Sequence, residues 1–273
     1  MQNMMGRVRR CAEDYNMITE GDKIAVGVSG GKDSLTLLYL LAALRRYYPA
    51  HYELQAVTID MGLPGMDFSP VAALCEKLEV PYQIKKTEIG PIIFDYRHEK
   101  NPCSMCAKMR RGALNDVLLS LGCNKIALGH HFSDVVETTV MGMFYGSQLQ
   151  AMPPKLRSRN FPGMELIRPM YCIHEDDIIA WQRYNDLEFI QCACRFTERA
   201  AAHSNDGSSS KRQEVKLLLR ELRRKNPDIE KSIFHSIHSV CLDTMVGYKS
   251  GGVEHTFADC YRERGEMEKE AAE

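Results

Sequence analysis

A glycine-rich turn carries the densest set of chemically useful groups in the sequence. It reads Ser29-Gly30-Gly31-Lys32-Asp33-Ser34 and follows an apolar run. Glycines let the backbone approach a ligand closely, and a helix that begins here would offer unpaired N–H groups to a phosphate. Lys32 adds a cation, the serines add hydroxyl donors, and Asp33 adds a carboxylate of the kind that binds Mg²⁺. All six residues are therefore predicted to bind a nucleotide, with a plain strand–helix turn as the alternative.

Two common nucleotide motifs do not fit this turn. A Walker A loop has four residues between its glycines and a Ser or Thr after its lysine. Only three residues separate Gly27 from Gly31, and Asp33 follows Lys32. The dinucleotide pattern G-x-G-x-x-G is absent as well. The turn is therefore predicted to hold phosphates differently from either motif.

The ten cysteines are a second chemical signal. Cys103 and Cys106 form a C-x-x-C at the predicted start of a helix, where the helix N-terminus and nearby cations favour thiolates. A second close pair is Cys192-Ala193-Cys194. In a reducing compartment thiols serve metal binding, catalysis or burial rather than disulfides. Cys123 is predicted to be a core residue, and the role of Cys172 stays open.

Further candidates are expected where the parallel strands end, since open α/β sheets bind ligands at that edge. Asp60 closes the second predicted strand, and Gly129 and His130 follow the fourth. These three are predicted to contact the nucleotide, with ordinary loop or buried polar roles as alternatives. Arg110 lies one helical turn after Cys106 and is predicted to meet a phosphate or an activated base, with a solvated helix face as the alternative.

The elements that must position these groups alternate between short apolar strands and helices. Strands are predicted at residues 23–28, 54–59, 82–87 and 125–128, with an edge strand at 166–168 and an irregular stretch at 89–106. Helices are predicted at residues 35–44, 71–78, 105–120, 134–144, 175–184, 211–225 and 227–240. Near-continuous apolar strands joined by helices predict an α/β fold, a parallel sheet with helices on both faces.

Charge is balanced overall but not locally. The chain has 35 basic and 36 acidic residues, a net charge of −1 that argues against a duplex-DNA binder. Between Lys211 and Lys225, seven cations face two glutamates, so this helix is predicted to contact an RNA backbone or to form a solvated face. The longest apolar stretch, residues 35–44, is shorter than the roughly twenty residues of a membrane span. Without a signal-peptide pattern, the protein is expected to be cytoplasmic and to have no membrane contact.

Four segments follow from these patterns. They are an N-terminal segment at 1–20, a nucleotide-binding domain with the cysteine site at 21–198, a mobile polar loop at 199–210, and a basic helical extension with an acidic tail at 211–273. With 44% hydrophobic and 26% charged residues, the composition excludes a mainly disordered chain.

The glycine-rich turn resembles the PP-loop of the N-type ATP pyrophosphatases, whose sheet is Rossmann-like. In that superfamily the loop holds the β,γ-pyrophosphate while ATP is cleaved between its α and β phosphates. The adenylate is transferred to a carbonyl oxygen, which becomes a good leaving group. Together with PCSMC, KMRRG and Gly129-His130-His131, the turn resembles the tRNA 2-thiocytidine synthetase (TtcA) family. The likeness runs over residues 20–195 and includes Ile167-Arg168-Pro169.

The resemblance implies an enzyme that thiolates a cytidine in a tRNA anticodon loop. It implies ATP, Mg²⁺ and a 4Fe–4S cluster as cofactors, with Cys103, Cys106 and Cys192 as cluster ligands. Asp33, Arg110 and Asp134 would be catalytic. The implied partners are tRNA and a sulfur donor such as a cysteine desulfurase, and a homodimer is one alternative for the oligomeric state.

Two departures from the family pattern leave alternatives open. The late cysteines form C-x-C, so Cys194 is an alternative to Cys192 as the third ligand. The family's His-His-x-Asp-Asp has Ser133 in place of its first aspartate, followed by Asp134. A related PP-loop sulfurtransferase acting on another nucleoside is therefore one alternative function. A non-catalytic RNA-binding module that holds a metal or cluster is the other.

Overall fold

The computed structural model of the chain describes residues 2–93, 102–185, 211–259 and 261–262. The chain divides into two compact units, residues 1–230 and residues 231–273. Cys192, Cys194, the predicted mobile loop at 199–210 and most of the predicted acidic tail lie outside the described residues. The domain boundary placed in that loop therefore stays a prediction. The helix predicted at 211–225 belongs to the first unit.

A six-stranded sheet forms the centre of the first unit, in the order β3-β2-β1-β4-β6-β5. The strands span Asp22–Gly27 (β1), Tyr52–Asp60 (β2), Tyr82–Lys86 (β3), Lys125–Ala127 (β4), Lys155–Arg157 (β5) and Glu165–Ile167 (β6). Neighbouring strands are parallel except β5, which runs antiparallel to β6. Ile24, Ala25 and Val26 of the central strand β1 are fully buried, as a parallel sheet covered on both faces requires. The predicted α/β fold is confirmed.

Helices precede, connect and follow the six strands of this sheet along the chain. They span Gln2–Asp14 (α1), Lys32–Leu44 (α2), Ser69–Lys77 (α3), Ile89–Pro91 (α4), Pro102–Ser120 (α5), Phe132–Gly146 (α6), Glu175–Tyr184 (α7), Lys211–Lys225 (α8) and Ile229–Ser236 (α9). Helix α5 packs Val117 and Leu118 against Ala25, Val57 and Ile126 of three neighbouring strands. Side chains alternate along a strand, so the neighbours of Ala25 point to the opposite face, where the leucine-rich helix α2 is buried.

Three local features differ from the sequence predictions. Strand β6, predicted as an edge strand, lies between β4 and β5, and β5 is the edge. The three residues of β5 are too few to show an alternating pattern. Helix α5 begins at Pro102, inside the stretch predicted to be irregular, because proline is compatible with the first turn of a helix. The N-terminal segment forms helix α1 and buries Met4, Val8 and Cys11.

The second unit contains a β-hairpin that the sequence predictions did not include. Its strands are Gly247–Ser250 (β7) and Val253–Thr256 (β8), which pair antiparallel. Gly251 and Gly252 between them have φ angles of 59° and 86°, which fit the two-residue turns that favour glycine. The helix predicted at 227–240 ends earlier, at Ser236. Within the described ranges, no helix combines the length and the apolar character needed to cross a membrane.

Candidate functional site

The glycine-rich turn joins the end of β1 to the start of α2. Gly30 has a φ of 81°, a conformation that favours glycine. The Ser34 hydroxyl donates to the Gly31 carbonyl at 2.9 Å, and the Ser29 N–H donates to the Ser34 oxygen at 3.2 Å. Gly31 is the N-cap of α2 and contributes no side-chain cap. The turn is therefore held in shape by its own serines, while the first N–H groups of α2 have no capping side chain.

The turn after β4 packs directly on this loop. A Cβ atom at Gly129 would lie 3.0 Å from the carbonyl carbon and oxygen of Asp33 and 3.2 Å from the Ser34 nitrogen. Only glycine permits this approach without displacing backbone. The imidazole Nε2 of His131 lies 3.7 Å from an Asp33 carboxylate oxygen. Two segments predicted from sequence to contact a nucleotide are thus adjacent in the structure.

His131 and Asp134 form the N-terminal cap of α6. The Asp134 N–H donates to His131 Nδ1 at 3.4 Å, and the His131 N–H donates to an Asp134 carboxylate oxygen at 3.1 Å. Burial lowers the pKa of His131, so the imidazole is neutral at pH 7 and its Nδ1 can accept. This reciprocal cap fixes Asp134 close to Asp33 through the histidine between them.

Lys32 is linked to a carboxylate that sequence reasoning missed. Its ammonium lies 2.7 Å from Asp33 and 3.1 Å from Glu175, the first residue of α7. The other oxygen of Glu175 lies 2.7 Å from the ammonium of Lys216 on α8. Burial alone would raise the pKa of Glu175, but the Lys216 hydrogen bond and the Lys32 charge outweigh it and lower the pKa to about 2. Glu175 is therefore an anion at neutral pH, beside the loop.

Ser133 helps to hold Glu175 in this position. The Glu175 N–H donates to the Ser133 hydroxyl oxygen at 3.4 Å, which joins the start of α7 to the first turn of α6. The serine that departs from the family pattern thus contacts the backbone of the residue that pairs with Lys32. The charge at position 133 is lost, but a hydrogen-bond acceptor is retained.

Helix α8 also contacts the start of α6. The Arg212 guanidinium lies 3.5 Å from Asp134 and 3.1 Å from Glu137. Burial raises the pKa of Glu137, and the Arg212 charge opposes that shift. A face of the basic helix that the sequence predicted to meet RNA or solvent therefore meets carboxylates of this site instead.

Two buried side-chain nitrogen atoms at the sheet edge have no protein partner among the described residues. They are Arg168 Nε, just after β6, and His130 Nδ1, just after β4. Arg168 is 8% exposed and donates through Nη1 to the Pro153 carbonyl. Burial lowers the pKa of Arg168 to about 10, and burial together with the Arg168 charge lowers the pKa of His130. Arg168 thus lies at the edge of the sheet that carries the site. The sequence predicted no site role for it and included it only in the motif Ile167-Arg168-Pro169.

The end of β2 connects the sheet edge to the cysteine motif. Asp60, its last residue, accepts a hydrogen bond from the Gly62 N–H at 2.9 Å. The next residue, Met61, has its sulfur 3.5 Å from the sulfur of Cys106 on α5. The first turns of α5, which also carry Cys103 and the exposed Arg110, therefore lie at the edge that carries Asp60. Cys192, which the resemblance implies as the third cluster ligand, lies outside the described residues.

Two isolated cysteines are also placed. Cys123 is buried in the core beneath α5, which confirms its predicted role. Cys172 takes part in a hydrogen bond with Cys11 of α1, and this bond lowers the pKa of Cys172. Cys172 thus packs against the N-terminal helix.

Comparison with known proteins agrees with this geometry. Residues 3–195 match the model of the PP-loop domain family. A tRNA-cytidine(32) 2-sulfurtransferase of Geobacter metallireducens is 38% identical over 85% of this chain and 88% of the relative. The enzyme of the same name from Syntrophotalea carbinolica is 40% identical over 83% of this chain and 85% of its own.

A solved structure shares the fold. The U34-tRNA thiolase NcsA from Methanococcus maripaludis, solved with its [4Fe-4S] cluster, has a TM-score of 0.66 and covers 93% of this chain and 84% of its own. At 23% identity this likeness concerns the fold alone. The family match and the curated relatives both extend over most of the chain. The chain therefore belongs to the PP-loop family, among the tRNA sulfurtransferases named tRNA-cytidine(32) 2-sulfurtransferase.

Proposed function

We propose that the protein is an ATP-dependent, iron–sulfur-dependent thiolase that converts a cytidine of the tRNA anticodon loop to 2-thiocytidine. By analogy with the curated relatives, the acceptor is cytidine 32. The observation that carries the proposal is the packing of the Gly129 turn on the PP-loop. That packing brings Lys32, Asp33 and the His131–Asp134 cap into one cluster.

The chemical problem is a poor leaving group. The C2 oxygen of cytosine is amide-like, so it must be activated before sulfur can replace it. In the proposed reaction this oxygen attacks the α-phosphate of ATP, the bond between the α and β phosphates breaks, and pyrophosphate leaves. Sulfur then bonds to C2, and the original oxygen departs with AMP. These two steps leave the oxidation state of C2 unchanged. The incoming sulfur must therefore be a nucleophile at the oxidation level of sulfide.

The residues of the loop have defined tasks in the first step. The backbone N–H groups of Gly30, Gly31 and Ser34, with the hydroxyl of Ser29 and the Lys32 ammonium, bind the β and γ phosphates that leave as pyrophosphate. Asp33 provides a carboxylate for Mg²⁺. These groups form no covalent bond with ATP. They contribute by holding its phosphates in position for the reaction.

The polar groups at the sheet edge are proposed to contact the adenosine part of ATP rather than its β and γ phosphates. Asp60, Gly129 and His130 line the part of the edge that receives the adenosine. Asp134 orients His131 through the cap, and burial keeps the imidazole neutral. Arg110 is proposed to stabilise the phosphate charge of the adenylated base.

The donor chemistry of the cysteines and the location of Cys106 support an iron–sulfur cluster. Cys103, Cys106 and Cys192 would hold a 4Fe–4S cluster, with Cys194 as the alternative third ligand. Cys106 lies beside Met61 at the sheet edge, on the side where the proposed nucleotide binds. When bound, the cluster supplies an iron coordination position for the sulfur that is transferred. A cysteine desulfurase is the proposed source of that sulfur, which it delivers as a persulfide. A thiol reductant then brings the sulfur to the sulfide level and is itself oxidised to a disulfide.

The basic helix contributes to tRNA binding through its exposed cations. Arg223 is excluded from that role, since it pairs with Asp176 and Glu230. Arg220 and Arg224 are exposed and remain the proposed contacts with the RNA backbone. An unpaired anticodon-loop base can be splayed out to reach the activated phosphate. The enzyme is proposed to act in the cytoplasm, and a homodimer is proposed as its assembly.

The products of ATP test the adenylation step. Full-length protein, purified and kept without oxygen, is given ATP, Mg²⁺, tRNA and sulfide, and the phosphate products are measured. We expect pyrophosphate and AMP in equal amounts, and no turnover in Asp33→Ala, because this change removes a carboxylate at the phosphates. Asp116→Ala, a change at an exposed position of α5, is the matched control and should retain turnover. Steady formation of ADP by the unmodified protein would overturn the proposal.

A further inference from the structure

Helix α8 directs two cations into the carboxylates around the PP-loop. Arg212 and Lys216 are four residues apart and therefore lie on one side of the helix. Arg212 pairs with Glu137 at 3.1 Å, and Lys216 pairs with Glu175 at 2.7 Å. Lys225, at the far end of the same helix, has a side chain 75% exposed. The side of α8 that bears Arg212 and Lys216 thus belongs to the site, although the helix is far from it in sequence.

Glu175 is shared between two ammonium groups. One oxygen lies 3.1 Å from Lys32 and the other lies 2.7 Å from Lys216. The Glu175 side chain is 17% exposed, so water screens these contacts only weakly. A lone carboxylate so close to a phosphate site would repel the phosphates and would also compete with them for Lys32. The second lysine offsets both effects.

We propose that Lys216 is a positioning residue of the nucleotide site and acts on Lys32 through Glu175. The inference rests on the proposed function in one respect, namely that Lys32 binds the phosphates of ATP. Lys216 neutralises part of the Glu175 charge and holds the carboxylate in place, so Lys32 is oriented by Glu175 but can still turn to the phosphates. Helix α8 is in this way a structural part of the ATP site.

Replacing Lys216 or Glu175 with an uncharged residue should change ATP binding in different ways. Lys216→Met leaves Glu175 with Lys32 alone, so the site loses a positive charge and Lys32 is held more tightly by the carboxylate. ATP binding should weaken by about tenfold, the ratio expected from losing one charge-assisted hydrogen bond. Glu175→Gln removes the competing charge, so ATP should bind at least as tightly as in the unmodified protein. Because Lys32 is then less well oriented, kcat should fall while KM for ATP does not rise.

Calorimetric titration of the full-length protein with Mg–ATP measures the first effect without tRNA or a sulfur source. Lys225→Met is the matched control, since it is the same substitution on the same helix away from Glu175. We expect the ATP affinity of Lys225→Met to be unchanged and that of Lys216→Arg to stay within about threefold, because arginine can keep the charge-assisted bond. Thermal unfolding of each variant reports whether the fold is kept.

The double variant Lys216→Met, Glu175→Gln tests the route of the effect. If Lys216 acts through Glu175, the double variant should bind ATP like Glu175→Gln alone, because the charge that traps Lys32 is gone. If the fold-changes in ATP affinity of the two single variants multiply in the double variant, the inference is overturned. Equal ATP affinities of Lys216→Met and Lys225→Met would also overturn it. Absence of ATP binding by the unmodified protein would instead overturn the proposed function. If Lys216→Met does not fold, Lys216→Gln replaces it in the same comparison.

Discussion

Adding a single methyl group at Gly129 tests whether the contact between this residue and the PP-loop positions the reaction. In Gly129→Ala the new Cβ would lie 3.0 Å from the backbone of Asp33, whereas ordinary van der Waals contact begins at 3.4 Å. Backbone cannot rotate away as a flexible side chain can, so the two segments must separate by about 0.4 Å. Both segments are proposed to contact the same nucleotide, so the separation acts on the catalytic geometry itself.

The magnitude follows from two general observations. Overpacking by one methylene costs about 1–3 kcal/mol of folding stability. A displacement of about 1 Å at a reacting group can lower the rate about 100-fold, so about 0.4 Å is expected to lower kcat about tenfold. A loss of about 1 kcal/mol would lower Tm by about 2–4 °C in a chain of this size. We therefore expect a folded protein with impaired turnover.

The assay is pyrophosphate release at saturating ATP, together with thermal unfolding. Gly6→Ala is the control, since a Cβ at Gly6 of α1 would have nothing within 4 Å. It should raise stability by about 0.5–1 kcal/mol, as alanine favours a helix interior, and should leave turnover unchanged. If Gly129→Ala has the turnover and Tm of the unmodified protein, the packing of these two segments does not position the reaction.

Three further predictions concern the cluster, the RNA and the pH dependence. Cys106→Ala should lose most of its iron when purified without oxygen, whereas Cys123→Ala, a core substitution, should keep it; equal iron contents measured by colorimetric assay would contradict this assignment. Arg220→Glu with Arg224→Glu should weaken tRNA binding and reduce its salt dependence, with ATP affinity unchanged, as filter binding at several salt concentrations would report. The folded pKa of Glu175, about 2, lies below its ordinary value of 4.5, so its charge stabilises the fold above pH 4.5 and this contribution is lost as the pH falls toward 2. Urea unfolding of Glu175→Gln should therefore show a deficit that is largest near pH 7 and shrinks below pH 4.5, and a deficit independent of pH would refute the ionic role.

Local sequence patterns predicted the sheet and the PP-loop because their signals are contiguous. The apolar run at 23–28, its glycine-rich turn and the leucines that follow lie within about twenty residues. Helix α1 has a comparable signal, with buried Met4, Val8 and Cys11 at helical spacing, and it could have been predicted from that pattern. The two glycines of the β7–β8 turn were likewise a readable hairpin signal.

The charge network of the site was not predictable in the same way. Lys32, Glu175 and Lys216 come from three separate helices, and each has an ordinary local role when read alone. Glu175 reads as an acidic residue in the first turn of α7, where it is favoured by the helix dipole. Lys216 reads as one cation among seven in a basic helix. Only the packing of α6, α7 and α8 around the loop brings them together.

The central claim is that this chain makes 2-thiocytidine in tRNA, and nucleoside mass spectrometry tests it most directly. Unmodified tRNA is incubated without oxygen with the cluster-loaded protein, ATP, Mg²⁺ and a sulfide source, then digested to nucleosides, with Asp33→Ala as the inactive control. We predict that 2-thiocytidine appears only with ATP and the unmodified protein, and that fragment mapping places it at position 32. A different thiolated nucleoside, or no thiolation while ATP is still cleaved to pyrophosphate, would contradict the assigned acceptor.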